Sequence, residues 1–354
     1  MLKSYKNKKK ILVTGGAGYI GSHTCIELLN TGYDVLILDN FSNSSTSVIK
    51  NIKKISKTRI NYIQCDLRDL ADTKSILKKY KPEAVIHFAA LKSVIESVRK
   101  PYHYFSNNVS GMINLLGAME YSGVKNIIFS SSCTVYGKQN NFPVDEKCSL
   151  NQAQNPYAHS KQICEKLIQD MCNYNDFKAV ILRYFNPIGA HSSALIGENP
   201  IGIPDNLAPF ITRTAHKIYK ELTVFGNDYK TPDGTCIRDY IHVVDLAKAH
   251  VKSLDYLLNK QEKFTIDVFN LGTGKGVSVL EVIREFERCT GVKINYKFGP
   301  RRKGDLPVMY ANPAKANKLL NWKTELALKE MLVSAWKWEL RNCKREFSFR
   351  NYYE

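Results

Sequence analysis

The 354-residue chain predicts an α/β protein: a doubly wound parallel sheet followed by a smaller mixed α/β C-terminal region. Three observations predict it. Short β-branched runs alternate with helical segments through the first half, which implies right-handed crossovers and helices on both faces of one sheet. A glycine-punctuated turn joins the first strand to the first helix. An acidic residue closes the second strand.

The elements follow in order. Ile11-Leu12-Val13 reads as a buried strand. Thr14-Gly15-Gly16-Ala17-Gly18-Tyr19-Ile20-Gly21 follows, and Ser22–Asn30 has helical spacing of Ile20, Cys25, Leu28 and Leu29. Gly15 allows the tight turn, Gly18 lets backbone approach a pyrophosphate, and Gly21 lets helix pack on strand. The helix N-terminus then faces phosphate charge. Asp34–Leu38 is a second strand ending at Asp39, an acid suited to the ribose hydroxyls of NAD and hostile to the extra phosphate of NADP. Strand, glycine triplet, helix, strand and terminal acid form a Rossmann layout that predicts NAD binding. Ile60–Cys65 reads as a strand reaching Asp66, Thr73–Tyr80 as a helix and Ala84–Phe88 as a strand followed by Ala89-Ala90. One long helix is expected over Pro101–Ser122, a strand over Asn126–Phe129, a helix over Asn155–Asn173 and a strand over Ala179–Arg183. Ligands in such sheets bind beyond the strands' carboxyl ends.

After Asn186-Pro187 glycine and proline become frequent and the elements shorten. The expected division is a cofactor-binding domain over 1–186 and a substrate-binding region over 187–354. Segments near 238–271, a helix over Arg238–Leu258 and a strand over Val268–Leu271, are expected to return to the main sheet.

The chemistry is expected at Tyr157 and Lys161, which share a helix face at i and i+4, with Ser130-Ser131-Ser132 one loop upstream. A phenol near pKa 10 is a poor base at neutral pH. A fixed ammonium beside it, and the positive charge of an oxidised nicotinamide, favour the phenolate. Lowering the pKa by about three units takes roughly 4 kcal/mol. The pair is thus a candidate device for removing a hydroxyl proton while hydride leaves the same carbon. Taken alone, a Tyr-x-x-x-Lys pair is an ordinary surface pattern; its company with the glycine turn gives it meaning. His159 is expected solvated or packed, and His87 in the core.

The net charge is +18. Lysine is spread along the chain, densest over Lys3–Lys10, and reads as a solvated surface. No aromatic-basic ladder supports specific nucleic-acid binding. The nine cysteines are scattered without a Cys-x-x-Cys pair, which argues against a zinc site or disulfide framework and for a reducing, cytoplasmic setting. No metal is expected, and no segment reaches membrane-spanning length. The apolar stretch after the basic N-terminus is read as the first strand rather than a leader.

Six stretches carry a family resemblance over Ile11 to about Trp338: Thr14–His23, His87–Lys92, Ser130–Gly137, Leu182–Pro187, Gly234–His242 and Arg301–Pro307. The sequence resembles the UDP-glucose 4-epimerase (UDP-galactose 4-epimerase) family, in the extended branch of the short-chain dehydrogenases/reductases. The resemblance implies reversible interconversion of UDP-glucose and UDP-galactose in galactose metabolism. Carbon 4 is oxidised by tightly bound NAD, the 4-keto sugar turns over, and it is re-reduced on its other face. It implies a homodimer through the helices over 101–122 and 155–173.

The resemblance also implies residue roles. Tyr157 is the acid/base, Lys161 holds the nicotinamide ribose and lowers the phenol pKa, and Ser132 binds the reacting oxygen with Thr134 near. Tyr19, Ile20, Asn40, Ser130 and Tyr184 join the glycines and Asp39 at the cofactor. Asp66 and Leu67 flank the adenine, Phe88, Ala89, Ala90 and Lys92 run along the cofactor, and Asn107 lies at its phosphate–ribose edge. Lys92, Phe185, Asn186, Asn206, Leu207, Phe225, Arg238, Arg302 and Asp305 fall to the UDP-sugar. The two arginines suit a diphosphate through paired hydrogen bonds, with an ion pair to Asp239 or Asp305 as the plain alternative. Three positions depart from the family pattern or leave it open. Ala90 stands for glycine, and Cys133 for alanine, read as a small packed residue. Met309 sits where the family gates sugar size, leaving acceptance of the UDP-N-acetyl pair open.

The rival readings are a nucleotide-sugar dehydratase or decarboxylase, a cofactor-sensing regulator without catalysis, and charge-driven nucleic-acid binding. A dehydratase needs an added acid and base where Cys133 and Thr134 stand.

Overall fold

Runs that are apolar without alternation bury on both faces, and here they build the centre of a seven-stranded sheet. A computed structural model describes residues 8–259, 265–302 and 304–350, with side chains as far as 342. Most of the basic cluster Lys3–Lys10 lies outside the described residues.

The elements up to residue 184 are β1 (Lys10–Thr14), α1 (Tyr19–Asn30), β2 (Asp34–Asp39), α2 (Thr46–Ser56), β3 (Asn61–Gln64), α3 (Leu70–Tyr80), β4 (Ala84–His87), α4 (Val94–Arg99), α5 (Pro101–Tyr104), α6 (Gly111–Ser122), β5 (Asn126–Ser130), α7 (Pro156–Tyr174) and β6 (Lys178–Tyr184). Then come β7 (Asn186–Ile188), α8 (Leu207–Ala215), β8 (Leu222–Phe225), β9 (Ile237–Arg238), β10 (Tyr240–His242), α9 (Val243–Asn259), β11 (Ile266–Leu271), β12 (Val277–Ser278), α10 (Val279–Thr290), β13 (Tyr296–Gly299), β14 (Val308–Met309), α11 (Ala314–Leu319) and α12 (Leu328–Arg350).

The large sheet runs β11-β6-β5-β4-β1-β2-β3. β1 pairs in parallel with both β2 and β4, so the order reverses at β1. A ligand crevice belongs at such a switch point. Ile11, Leu12, Val13, Ile37, Ala84, Val85 and Ile86 are fully buried. Leu77, Met112, Leu115, Met119, Ile168 and Phe177 cover one face.

The chain forms two compact units, each discontinuous in sequence. One comprises 1–137, 149–183 and 247–269; the other comprises 138–148, 184–246 and 270–354. Two details differ from a division at residue 186. Residues 138–148 fall in the second unit, and the chain rejoins the first only at Ala247. In the second unit, Ile211, Leu222, Val224, Ile283, Phe286 and Leu332 share a core.

Several elements depart from expectation. The helix expected over Pro101–Ser122 is divided by a π-helical turn, Phe105–Ser110. Buried Asn108 occupies that turn. Its side chain accepts from Leu91 N (2.8 Å) and donates to Leu91 O (3.0 Å) and Ser160 Oγ (3.1 Å). α3 starts at Leu70, not Thr73, because the Asp69 side chain caps it at Asp72 N. The helix expected from Arg238 begins at Val243, after two short strands.

Candidate active site

The glycine turn is shaped by contacts no side chain could share. Gly15 sits at φ +69°, and a Cβ there would meet Ala89 N at 2.7 Å. A Cβ on Gly21 would meet Gly15 O at 2.3 Å. The ends of β1 and β4 therefore touch through backbone alone. Gly18 caps α1 without a side-chain bond, so the first-turn amides face outward from the loop. Tyr19, Ile20 and Gly21 are that first turn. A cradle of backbone N–H at a helix N-terminus fits a pyrophosphate.

Asp39 holds this loop as well as marking the ribose position. Its Oδ2 accepts from Ala17 N (3.0 Å), and its Oδ1 from Phe41 N (2.9 Å) and Ser44 Oγ (2.9 Å). Oδ2, with a single donor, keeps a second lone-pair site for a hydroxyl. Asp66 accepts from Asn40 Nδ2 (3.0 Å) and pairs with Arg68 (2.7 Å), whose hydrogen bonds hold its carboxyl far below the usual range. One crevice gathers Gly15, Gly18, Asp39, Asn40, Asp66, Leu67, Phe88, Ala89, Ala90 and Asn107. Leu38, Ser42, Asn43, Ser44, Cys65 and Leu91 also line it. Ser42, Asn43 and Ser44 were missed because the β2–α2 loop has no motif of its own. Lys92 follows Leu91 and is exposed, off the crevice wall. The residues fit a dinucleotide: a phosphate cradle, then acids and amides for ribose and adenine.

The catalytic candidates stand on α7. Asn155 accepts from Ala158 N (2.9 Å) and Pro156 occupies the first helical position, so the chain turns helical just before Tyr157. Ser132 opens a 3₁₀ turn, Cys133–Tyr136, at the end of β5. Its Oγ accepts from Thr134 N (3.3 Å) and Thr134 Oγ1 (3.0 Å). With its acceptor sites so used, its O–H is left to donate to Tyr157, and the two side chains are hydrogen-bonded. Lys161 is buried, with Nζ 2.7 Å from Ser130 O and 4.7 Å from the Phe129 ring centroid. Ser130 Oγ meets His250 Nε2 at 2.9 Å.

The expected electrostatics need correcting. Burial pushes the Tyr157 phenol up to about 12; the Ser132 bond pulls it down only in part, and Cys133 adds to the rise. Lys161 does not figure among the causes. It is itself pulled down to about 8 by burial, against the raising influence of Cys164 and Glu165. The i+4 ammonium spends its shortest bond on the Ser130 carbonyl. Desolvation therefore wins over the lysine, and the phenol is neutral until a further positive charge is brought to it. His87 is in the core as expected: burial and then Lys161 hold it down to about 3, and Nδ1 lies 2.7 Å from Thr14 Oγ1. His159 is exposed.

In the second unit, Asp305 is shared by two arginines. Arg302 Nε lies 2.9 Å and Arg238 Nη2 3.8 Å from its oxygens. The Arg302 guanidinium lies 5.0 Å over the Phe225 ring. Two cations on one carboxylate leave a surplus positive charge. Met309 is buried and paired with Arg238 across β14 and β9. Asp239 is not the arginines' partner; it accepts from Thr273 N, Gly274 N and Ala311 N. Asn186 N donates to Asp239 O (2.9 Å), and Phe185 is buried beside it. Asn206 and Leu207 stand apart at the start of α8, with Asn206 Nδ2 2.6 Å from Glu198. Tyr184 ends β6.

The GDP-mannose 4,6 dehydratase family profile matches residues 12–334. UDP-glucose 4-epimerase of Bacillus subtilis is 48% identical, over 94% of this chain and 97% of its own. Among solved structures, UDP-glucose-4-epimerase from Stenotrophomonas maltophila with bound NAD and formylated UDP-arabinopyranose superposes with a TM-score of 0.91, at 46% identity over 96% of this chain and 99% of that one. UDP-glucose 4-epimerase from Bifidobacterium longum, in complex with NAD+ and UDP, gives 0.90 at 46% identity, covering 94% and 98%. The chain belongs to the UDP-glucose 4-epimerase family.

Proposed function

We propose that this member of the UDP-glucose 4-epimerase family interconverts UDP-glucose and UDP-galactose, with NAD as a tightly held cofactor. The observation that carries the reading is the Ser132–Tyr157 hydrogen bond, set at the end of β5 in the unit that holds the glycine cradle. NAD, when bound, accepts the hydride of sugar carbon 4 and returns it, so the cycle needs no added reductant.

The chain's own residues supply the rest. Tyr157 takes the proton from the 4-hydroxyl and later gives one back. Ser132 holds the same oxygen, and Thr134 fixes Ser132. Lys161 holds the ribose of the cofactor and adds positive charge beneath the site. The 4-keto sugar turns about its phosphate linkage, held by Arg238 and Arg302 as a diphosphate clamp. Phe225, Asn186, Asn206, Leu207 and Asp305 take the nucleoside. We assign cofactor binding to the first unit and the UDP-sugar to the second.

Water elimination, the reaction of a dehydratase, has no support here. Its added carboxylates are wanted at Cys133 and Thr134, and Glu165, a carboxylate bound to the serine run, is tied to Arg183. The test is to incubate the protein with UDP-galactose alone and follow products by NMR. UDP-glucose appears at equilibrium proportion; a 4-keto-6-deoxy product, or no conversion, rejects the reading.

Three finer readings belong here. Self-association into a homodimer is supported by exposed Tyr102, Ile113, Tyr121 and Tyr174 on the helices over 101–122 and 156–174, and is read by light scattering. A reducing, cytoplasmic setting is read from the scattered cysteine pattern of the sequence. No described helix is long and apolar enough to cross a membrane. Met309 is slimmer and more flexible than tyrosine, which favours some turnover of the UDP-N-acetyl pair.

A further inference from the structure

Three side chains on one face of α7 grip three consecutive serines. Tyr157, Lys161 and Glu165 stand at i, i+4 and i+8. Tyr157 bonds Ser132, Lys161 Nζ bonds the Ser130 carbonyl, and Glu165 accepts from Ser131 Oγ. Glu165 is also the buried partner of Arg183 on β6, through Nε (3.0 Å) and Nη2 (2.6 Å), both side chains being 6% exposed. Arg183 stacks 4.9 Å over Tyr136, which closes the 3₁₀ turn begun after Ser132. Ser131 N is meanwhile bound to Leu182 O (2.9 Å). The serine run is thus held by backbone from β6 and by side chain from α7.

We propose that Glu165 and Ser131 are positioning residues for this reaction: their bond sets the register of the serine run on α7 and so aims the Ser132 hydroxyl at Tyr157. A buried carboxylate that needed only a counterion would be satisfied by Arg183. Its further bond to Ser131 fixes the residue between the two that touch Lys161 and Tyr157. A slip of the run would detach Ser132 from the phenol without touching Tyr157 itself. The titratable groups facing this cluster are Lys161, Cys164 and Glu165 on α7, Cys133 and Tyr136 on the 3₁₀ turn, Arg183 on β6, His87 on β4 and His250 on α9. Each keeps its place when Ser131 alone is changed.

The inference rests on the epimerase reading, and its test separates the two. Ser131→Ala is the decisive variant, because it keeps the Glu165–Arg183 pair. Turnover of UDP-galactose is expected to fall about tenfold, with KM and bound NAD unchanged. Ser132 lowers the Tyr157 pKa, so a loosened Ser132 lets it rise; the acid limb of the kcat profile moves to higher pH. Hydrogen exchange over residues 130–136 quickens. Glu165→Gln, which keeps an acceptor for Ser131 but uncharges the Arg183 pair, is expected to keep the wild-type limb even if it lowers Tm. A Ser131→Ala enzyme with unchanged kcat and acid limb, or one that loses only Tm, overturns the inference. A wild-type protein that makes no UDP-glucose overturns the epimerase reading instead.

Discussion

The serine–tyrosine face of the first unit and the arginine cluster of the second are built on opposite principles. In the first, Ser131, Lys161, Glu165 and Arg183 are buried, and each is hydrogen-bonded to a fixed neighbour. In the second, Arg238 and Asp305 are 18% and 19% exposed and Arg302 38%, and Asp305 pairs with both arginines. Proton transfer demands atoms held within fractions of an ångström, and burial supplies that rigidity. The diphosphate clamp we propose must part from its resting carboxylate and accept a mobile anion, which partly exposed arginines do more cheaply than buried ones. On the proposed roles, the difference teaches that burial goes with chemistry and exposure with capture.

The contrast can be broken at its strongest point first. Tyr157→Phe removes the hydroxyl proposed to exchange the proton; kcat is expected to fall about 10³-fold or more, with NAD retained, measured by single-turnover NMR and cofactor absorbance. Comparable activity in that variant would sink the proposed base. Arg302→Ala should raise KM for UDP-galactose roughly 10- to 100-fold with a small change in kcat, since it leaves Asp305 facing the phosphates. A kcat loss matching that of Tyr157→Phe would erase the distinction between capture and chemistry.

A third test concerns the rigid face alone. His87 is held neutral by burial, down to about 3 from an ordinary 6.5. The unfolded chain then binds more protons than the folded one between those values, so stability is complete above about pH 6.5 and declines as pH falls below it. The slope is at most about 1.4 kcal/mol per pH unit. Thermal melts of wild type and His87→Gln from pH 7.5 to 5 should diverge at the neutral end and converge at the acid end; parallel curves would refute it. The smallest effect is expected at Met309. Met309→Tyr should lower turnover of UDP-N-acetylgalactosamine relative to UDP-galactose several-fold, as bulk fills the space beside β9. An unchanged ratio would remove Met309 from specificity.

What the sequence revealed and what it hid follow the same division. The glycine turn and Asp39 were legible because backbone geometry is written in local residue choice: no other side chain fits at Gly15 or Gly21. Tyr157 and Lys161 were legible because helical spacing fixes a shared face. Glu165 and Arg183 were not. On α7, Glu165 stands beside Lys166 and near Asp170, which do form an exposed pair, and nothing local separates the buried acid from the solvated one. Only the pairing of β6 with β5 brings Arg183 across. The π-turn at Asn108 was hidden for a like reason, since its partners are Leu91 and Ser160. The upward pull on the phenol pKa was hidden because burial, not spacing, dominates it.

The return of α9 and β11 to the first unit has a consequence for how the protein is made. β6 emerges from the ribosome long before β11, the strand that will cover its outer edge. Until about residue 271 has been synthesised, β6 is an open edge strand rich in Val180, Ile181 and Leu182, a template for pairing with other nascent chains. The first unit therefore cannot be completed as an N-terminal folding unit, and synthesis past the second unit's first half is the event that seals it.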